Sequence, residues 1–160
     1  VRPTSERLRE TLFNICQDSI EGAVFLDVFA GTGAMGMEAL SRGASHVVFI
    51  DKSRLSVQCI QKNLQLLGIE DQARVIVGDV FSVLKRMKEQ FDIIYIDPPY
   101  GKGYGQRILE DITTAGLLQS SGVLFFEDSE KGEFSVPEFT ERKMRTTGRA
   151  VLREFFISNK

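Results

Sequence analysis

The sequence predicts a doubly wound α/β domain: a seven-stranded, mostly parallel sheet with helices on both faces and an antiparallel hairpin at its carboxyl end. Three observations predict it. Short apolar runs rich in β-branched and aromatic residues alternate with amphipathic helical stretches, which demands parallel strands joined by crossover helices. A glycine-rich turn, Gly31-Thr32-Gly33-Ala34-Met35-Gly36, follows the first strand and opens a helix. Two last strand-like runs, residues 139–144 and 150–157, flank Thr147-Gly148 and read as a hairpin.

The elements follow in order. Arg2-Pro3-Thr4-Ser5-Glu6-Arg7 opens a helix with Thr4 as a candidate N-cap and Leu8, Leu12 and Ile15 on its core face. Residues 24–29 form the first strand, and the helix after the glycine turn is expected from Met37 to Arg42, ended by Gly43. Residues 46–50 form the second strand, ending at Asp51. Ser53 caps a helix carrying Val57, Ile60, Leu64 and Leu67 on one face, closed by Gly68. Residues 74–77 form a third strand, and Val80, Leu84 and Met87 are the buried stripe of the next helix. Residues 91–96 form a fourth strand, residues 101–105 a flexible loop and candidate lid, Ile108, Ile112 and Ala115 a helix, and residues 123–127 a fifth strand.

Composition narrows the class. With 160 residues, one domain spanning 1–160 is expected, large enough to stand on its own core. No apolar run approaches the ~20 residues of a membrane span, and there is no signal peptide, so no membrane partner and a cytoplasmic location are expected. Cys16, Cys59 and the single His46 lie apart, which argues against a metal site and against a disulfide; both thiols are expected to be buried. A net charge of −2 is not the bulk signature of a nucleic-acid binder. The charge is uneven, however: residues 131–160 hold seven Lys/Arg against four Glu, a net +3. Arg142, Arg145 and Arg149 in that tail, with Arg2 and Arg7 near the start, are either solvated surface or phosphate contacts. The chain begins at Val1, and a preceding segment is expected.

The chemistry is concentrated at Asp97-Pro98-Pro99-Tyr100. Two prolines stop the fourth strand, because neither donates to a ladder, and hold Asp97 extended at the carboxyl edge of the sheet. Ligands of open α/β sheets bind along that edge. An exocyclic nucleobase amine is a poor nucleophile, since its lone pair is delocalised into the ring. The Asp97 carboxylate and Pro98 carbonyl can orient its N–H bonds, and Tyr100 offers a face on which the base can stack. A donor carrying its methyl on a sulfonium needs no activated nucleophile and no metal, so the task reduces to positioning and electrostatics. The plain alternative is a turn after a strand.

Upstream residues outline a nucleotide site. Asp51 can accept from both ribose hydroxyls, Asp79 from an adenine amine, and the Val80 N–H can donate to a ring nitrogen. Gly31-x-Gly33-x-x-Gly36 with an acid twenty residues on also matches a dinucleotide fingerprint, so a NAD-dependent oxidoreductase is the enzymatic rival. Asp27 before the glycine turn, Asp79, and Asp97-Pro98-Pro99-Tyr100 have no place in that rival. An RNA-binding module without catalysis is the rival from another class.

Three stretches together carry a family resemblance: residues 2–14, residues 27–44 from Asp27-Val28-Phe29-Ala30-Gly31-Thr32-Gly33 onward, and Asp97-Pro98-Pro99-Tyr100. The tetrapeptide resembles the motif of amino-group methyltransferases, and the whole chain resembles the RsmD-type bacterial methyltransferases. The resemblance implies a Rossmann-like class I methyltransferase fold, S-adenosyl-L-methionine as cofactor, and N2 of one guanine in 16S ribosomal RNA as target, within an assembled small subunit. Adenine N6 in DNA or RNA is the alternative acceptor. It further implies Asp27, Ala30, Gly31, Thr32 and Gly33 around the methionine part, Asp51 and Lys52 at the ribose, and Asp79 and Val80 at the adenine. Asp97, Pro98, Pro99 and Tyr100 would hold the guanine, and Arg2, Thr4, Arg7, Arg142, Arg145 and Arg149 the RNA. A monomer is expected. The family's short basic segment before Arg-Pro-Thr is missing here.

Overall fold

An amphipathic stripe makes the first helix. In α1 (Ser5–Ile15), Leu8, Leu12 and Phe13 recur on one face and are buried, while Ile15 is only partly covered. Cys16, just past the helix, is buried with them, and desolvation pushes its thiol up to about 11, so it remains an inert SH group. The structure, a computed structural model, describes residues 5–99, 102–128, 135–147 and 150–158. Thr4 as a cap therefore lies outside the described residues.

The remaining elements are β1 (Val24–Val28), α2 (Ala34–Ser41), β2 (His46–Asp51), α3 (Arg54–Leu67), β3 (Ala73–Val77), α4 (Val80–Arg86), β4 (Phe91–Ile96), α5 (Gly105–Ala115), β5 (Leu118–Asp128), β6 (Phe139–Thr147) and β7 (Ala150–Ile157). They build one seven-stranded sheet in the order β3-β2-β1-β4-β5-β7-β6. The pairs from β3 through to β5 are parallel, and β7 joins β5 and β6 antiparallel. Alternate strand residues point to opposite faces, giving two cores. Phe25, Phe49, Tyr95 and Phe125 pack under α1 and α2 on one side. Leu26, Ile50, Ile94, Ile96 and Phe126 pack under α4 and α5 on the other. Strands buried on both faces explain the unbroken apolar runs.

Three expected boundaries shift. The helix after the glycine turn starts at Ala34, not Met37, because Gly33 adopts φ 79° and reverses the chain as its N-cap. Gly36 therefore lies inside α2, where a Cβ would sit 2.3 Å from Phe49 Cε2 and 2.9 Å from Val47 Cγ1. Its role is close helix–strand packing. Strand β5 begins five residues earlier than expected, at Leu118; the polar Gln119-Ser120-Ser121 hides it, and those residues are solvent-accessible. Gly105, assigned to the candidate lid, is the buried first residue of α5, leaving residues 102–104 as the described part of that loop.

Two burial expectations fail in α3. Val57, Ile60 and Leu64 are buried as the periodicity demands, but Leu67 is 66% exposed. It is the last residue of α3, one before the Gly68 cap. Cys59 is exposed because it lies on the face of α3 opposite the buried Val57, Ile60 and Leu64. Among the described residues no helix is long and apolar enough to cross a membrane.

The terminal hairpin spends its charge internally. Arg153, 3% exposed, donates from Nε and Nη2 to Glu141 at 2.9 and 2.7 Å. Buried Glu154 pairs with Arg145 at 3.2 Å and Arg142 at 3.4 Å. Much of the cationic character read from the tail thus balances carboxylates on neighbouring strands.

Candidate active site

The site lies along the carboxyl edge of the parallel strands, where β1, β2 and β4 end side by side. Asp97 follows β4, and its N–H still bonds the Val28 carbonyl at 3.3 Å. Two hollows meet there. One is lined by Asp27, Ala30, Gly31, Thr32, Tyr95 and Asp97, with Arg9 from α1 and Glu127 from β5. The other is lined by Asp51, Lys52, Asp79, Val80, Asp97, Pro98 and Pro99, with Phe81, Lys102 and Tyr104. Phe29 and Asp97 belong to both, so they form one cleft with Asp97 at the junction.

The glycine loop is tied down by acids from two strands. Asp51 Oδ2 accepts from Gly31 N at 2.8 Å and Oδ1 from Ser53 N at 2.9 Å. Each carboxylate oxygen carries a second lone pair, so Asp51 can still accept from two hydroxyls. A Cβ at Gly31 would meet nothing within 4 Å, so the loop opens on empty space that a ligand can occupy. Asp27, 1% exposed, accepts from Gly36 N at 3.0 Å. Burial holds its carboxyl well above the usual range, against the Gly36 bond; Asp97 and Asp51 push it further up. Converging carboxylates make this half of the cleft a receptor for a cationic group.

At the far end Asp79 caps α4: its Oδ2 accepts from Ser82 N at 3.0 Å and from the Ser82 hydroxyl at 3.1 Å, which holds the carboxyl below its usual range. The Val80 N–H belongs to the first turn of α4, whose donors have no intrahelical partner. Phe81 supplies an apolar wall, with Tyr104 edge-on at 5.0 Å and the Arg107 guanidinium 3.8 Å from the ring centroid. Tyr104 stacks in turn on Phe29 at 6.3 Å. Phe29 holds φ 59°, an outlier for a bulky residue, at the point where the hollows join.

These features fit S-adenosylmethionine. Acids suit its ammonium and its ribose hydroxyls, an apolar ring wall suits its adenine, and the open glycine loop suits the chain between them. Every described member of the predicted site converges on this cleft except the RNA set and Gly33. Gly33 is buried against Ile60 as the cap of α2. Arg7 is exposed on α1, and Arg142 and Arg145 lie on the hairpin. Tyr100, Arg2, Thr4 and Arg149 lie outside the described residues. Sequence reasoning missed Phe29, Tyr95, Phe81 and Glu127 as lining residues. The available signal was Glu127 itself, an acid directly after the apolar run Val123-Leu124-Phe125-Phe126.

Comparisons with known proteins agree with this geometry. The family described as Conserved hypothetical protein 95 matches residues 1–156. The Ribosomal RNA small subunit methyltransferase D of Haemophilus influenzae is 34% identical over 152 residues, covering 92% of this chain and 79% of that protein. The protein of the same name from Escherichia coli K12 is 36% identical, covering 86% of this chain and 69% of that protein. A solved Escherichia coli structure, yhhF, described as a methyltransferase, superposes with a TM-score of 0.91 at 30% identity over 100% of this chain and 89% of that one. A Haemophilus influenzae structure described as a methylase gives 0.85 at 30% identity, over 96% and 98%. The fold belongs with that likeness: the chain is a member of the Conserved hypothetical protein 95 family, the RsmD-type methyltransferases, with their Rossmann-like fold.

Proposed function

We propose that this chain methylates the exocyclic N2 amine of a guanine in 16S ribosomal RNA, working as a cytoplasmic monomer on an assembled small subunit. The observation that carries the reading is the position of Asp97, shared by the glycine-loop hollow and by the hollow that runs from Asp79 to Pro99. The Haemophilus influenzae relative, a ribosomal RNA small subunit methyltransferase by name, supports the RNA class.

When bound, S-adenosylmethionine supplies a methyl carbon activated by a positive sulfur, with a neutral thioether as leaving group. The chain does the rest. Asp27 and the residue 30–33 loop hold the amino-acid end, Asp51 and Lys52 the ribose, and Asp79 and Val80 the adenine. The target base leaves its stack, at a cost of a few kcal/mol unless already unpaired. Asp97 and the Pro98 carbonyl accept from N2, aim its lone pair, and Asp97 or solvent takes the displaced proton. Pro98 and Pro99 keep that corner stiff, and Tyr100 stacks on the base. Arg2, Thr4, Arg7, Arg142, Arg145 and Arg149 grip RNA phosphates.

The test is incubation with methyl-labelled S-adenosylmethionine and unmodified small subunits, followed by nucleoside analysis. Labelled N2-methylguanosine is the expected product. Labelled N6-methyladenosine would replace the guanine reading, and unlabelled RNA with tight NAD binding would overturn it.

A further inference from the structure

Glu127 is a buried acid that the reading so far gives no task. It is 6% exposed, yet it lines the cleft beside Asp27 and Asp97. The Tyr95 hydroxyl donates to its Oε1. Burial first, then the charges of Asp97 and Glu127, hold the Tyr95 phenol well above its ordinary range, so this donor keeps its proton. The carboxylate is therefore oriented by a neighbour that does not titrate under working conditions.

It shares a hollow with Asp27 and Gly31, and strand order fixes which side of Asp97 it takes. The residues proposed for the cofactor end β3, β2 and β1: Asp79, Asp51 and the Gly31 loop. Tyr95 pairs with Phe125 and Ile96 with Phe126. One further step along both strands brings Asp97 level with Glu127. Neighbouring strands lie about 4.8 Å apart, so Glu127 stands one strand beyond Asp97, on the side away from the glycine loop. There it neighbours Asp97, the residue read as orienting the reactive amine.

We propose that Glu127, positioned by Tyr95, is the residue that selects guanine, by accepting the N1–H next to the reactive N2 amine. This rests on the guanine reading above. Guanine presents two adjacent donors, N1–H and N2–H. Adenine presents its amine beside an unprotonated N1, whose lone pair would face the carboxylate. A buried acceptor left without its donor discriminates far more strongly than a missing methylene does.

The experiment uses small subunits carrying either guanine or 2-aminopurine at the methylated position. 2-Aminopurine keeps the 2-amino group and lacks the N1–H. The wild-type enzyme should prefer guanine by about 100-fold or more in kcat/KM. Glu127→Gln can turn its amide N–H toward a bare N1, so the preference should shrink at least about tenfold. Its S-adenosylmethionine Kd should stay within about twofold of wild type, which also reports an intact fold. Tyr95→Phe keeps the ring and should erode the same ratio in part, an effect that a purely structural tyrosine would not have. An unchanged ratio in Glu127→Gln, while wild type yields N2-methylguanosine, overturns the assignment. So does a loss of cofactor affinity with the base preference intact. If wild type yields another nucleoside, the guanine reading fails first, and the two failures are told apart by that product.

Discussion

Asp51, at the end of β2, accepts a 2.8 Å hydrogen bond from the N–H of Gly31, twenty residues earlier in the chain. The acid that can bind a ribose thus also sets the shape of the loop that can receive the rest of the cofactor. Two roles on one side chain make it sensitive. Asp51→Ala should weaken S-adenosylmethionine by about 10- to 100-fold, the scale of one or two charge-assisted bonds. Asp51→Asn, which keeps one acceptor, should fall between. Calorimetric titration gives the answer, and full affinity in the alanine variant would remove Asp51 from the site.

Asp97 is a different case, because it lies where the hollows meet. Asp97→Ala should lower turnover by at least about 10²–10³-fold, the usual loss when a preorganised group at the reacting atom is removed. S-adenosylmethionine binding should remain measurable. Single-turnover transfer to small subunits separates the steps; near-normal transfer would show that Asp97 does not orient the amine.

Asp27 makes stability and binding depend on pH in opposite senses. Its carboxyl is raised in the folded protein by burial. The protonated form therefore contributes stability at low pH, and that contribution is lost as pH rises through the raised pKa. In the cofactor-free protein, the Tm of Asp27→Asn should gain on wild type as pH climbs from ~4 to ~8. A cationic cofactor group favours the ionised form, so binding should release a proton, seen as heats that change with buffer. A Tm difference flat across pH, or buffer-independent heats, would contradict this.

Gly36 tests packing apart from chemistry. Gly36→Ala drives a methyl to 2.3 Å from Phe49 Cε2, inside a core where Phe49 is fully buried. Overpacking of this kind costs about 1–3 kcal/mol. The urea midpoint should fall with the m-value unchanged. An unshifted midpoint would mean that α2 slides at no cost.

The arginines should separate by what they already bond. Arg7→Ala should reduce the slope of log K against log salt for RNA by about one, and Arg142→Ala, whose partner is Glu154, by less. Arg153→Ala should leave that slope alone and lower stability, because Arg153 is buried on Glu141. A slope change at Arg153, or none at Arg7, would reverse the assignment of the RNA face.

Much of this protein was legible in the sequence because it is local. Turn chemistry at Gly43, Ser53 and Gly68, the apolar period of each helix, and the double proline after Ile96 depend on neighbours a few residues away. They located the elements, the glycine loop and the reactive corner. Where local signals conflict, the reading slipped. Gly36 looked like part of the loop because a glycine in a helix is unfavourable, and only contact with Phe49 explains it. The start of β5 was hidden by Gln119-Ser120-Ser121, which fall in the irregular stretch between Leu118, paired with Phe91, and Val123, paired with Ile93. What tertiary structure alone decided is which charges meet. Asp27, Tyr95 with Asp97, and Glu127 come from three strands, and only strand order and register bring them to one cleft. The same long-range pairing makes Arg153, one of the cations of the basic tail, a buried partner of Glu141. Period and turn type act over one or two turns of chain; electrostatics acts through space, and no sequence window contains that distance.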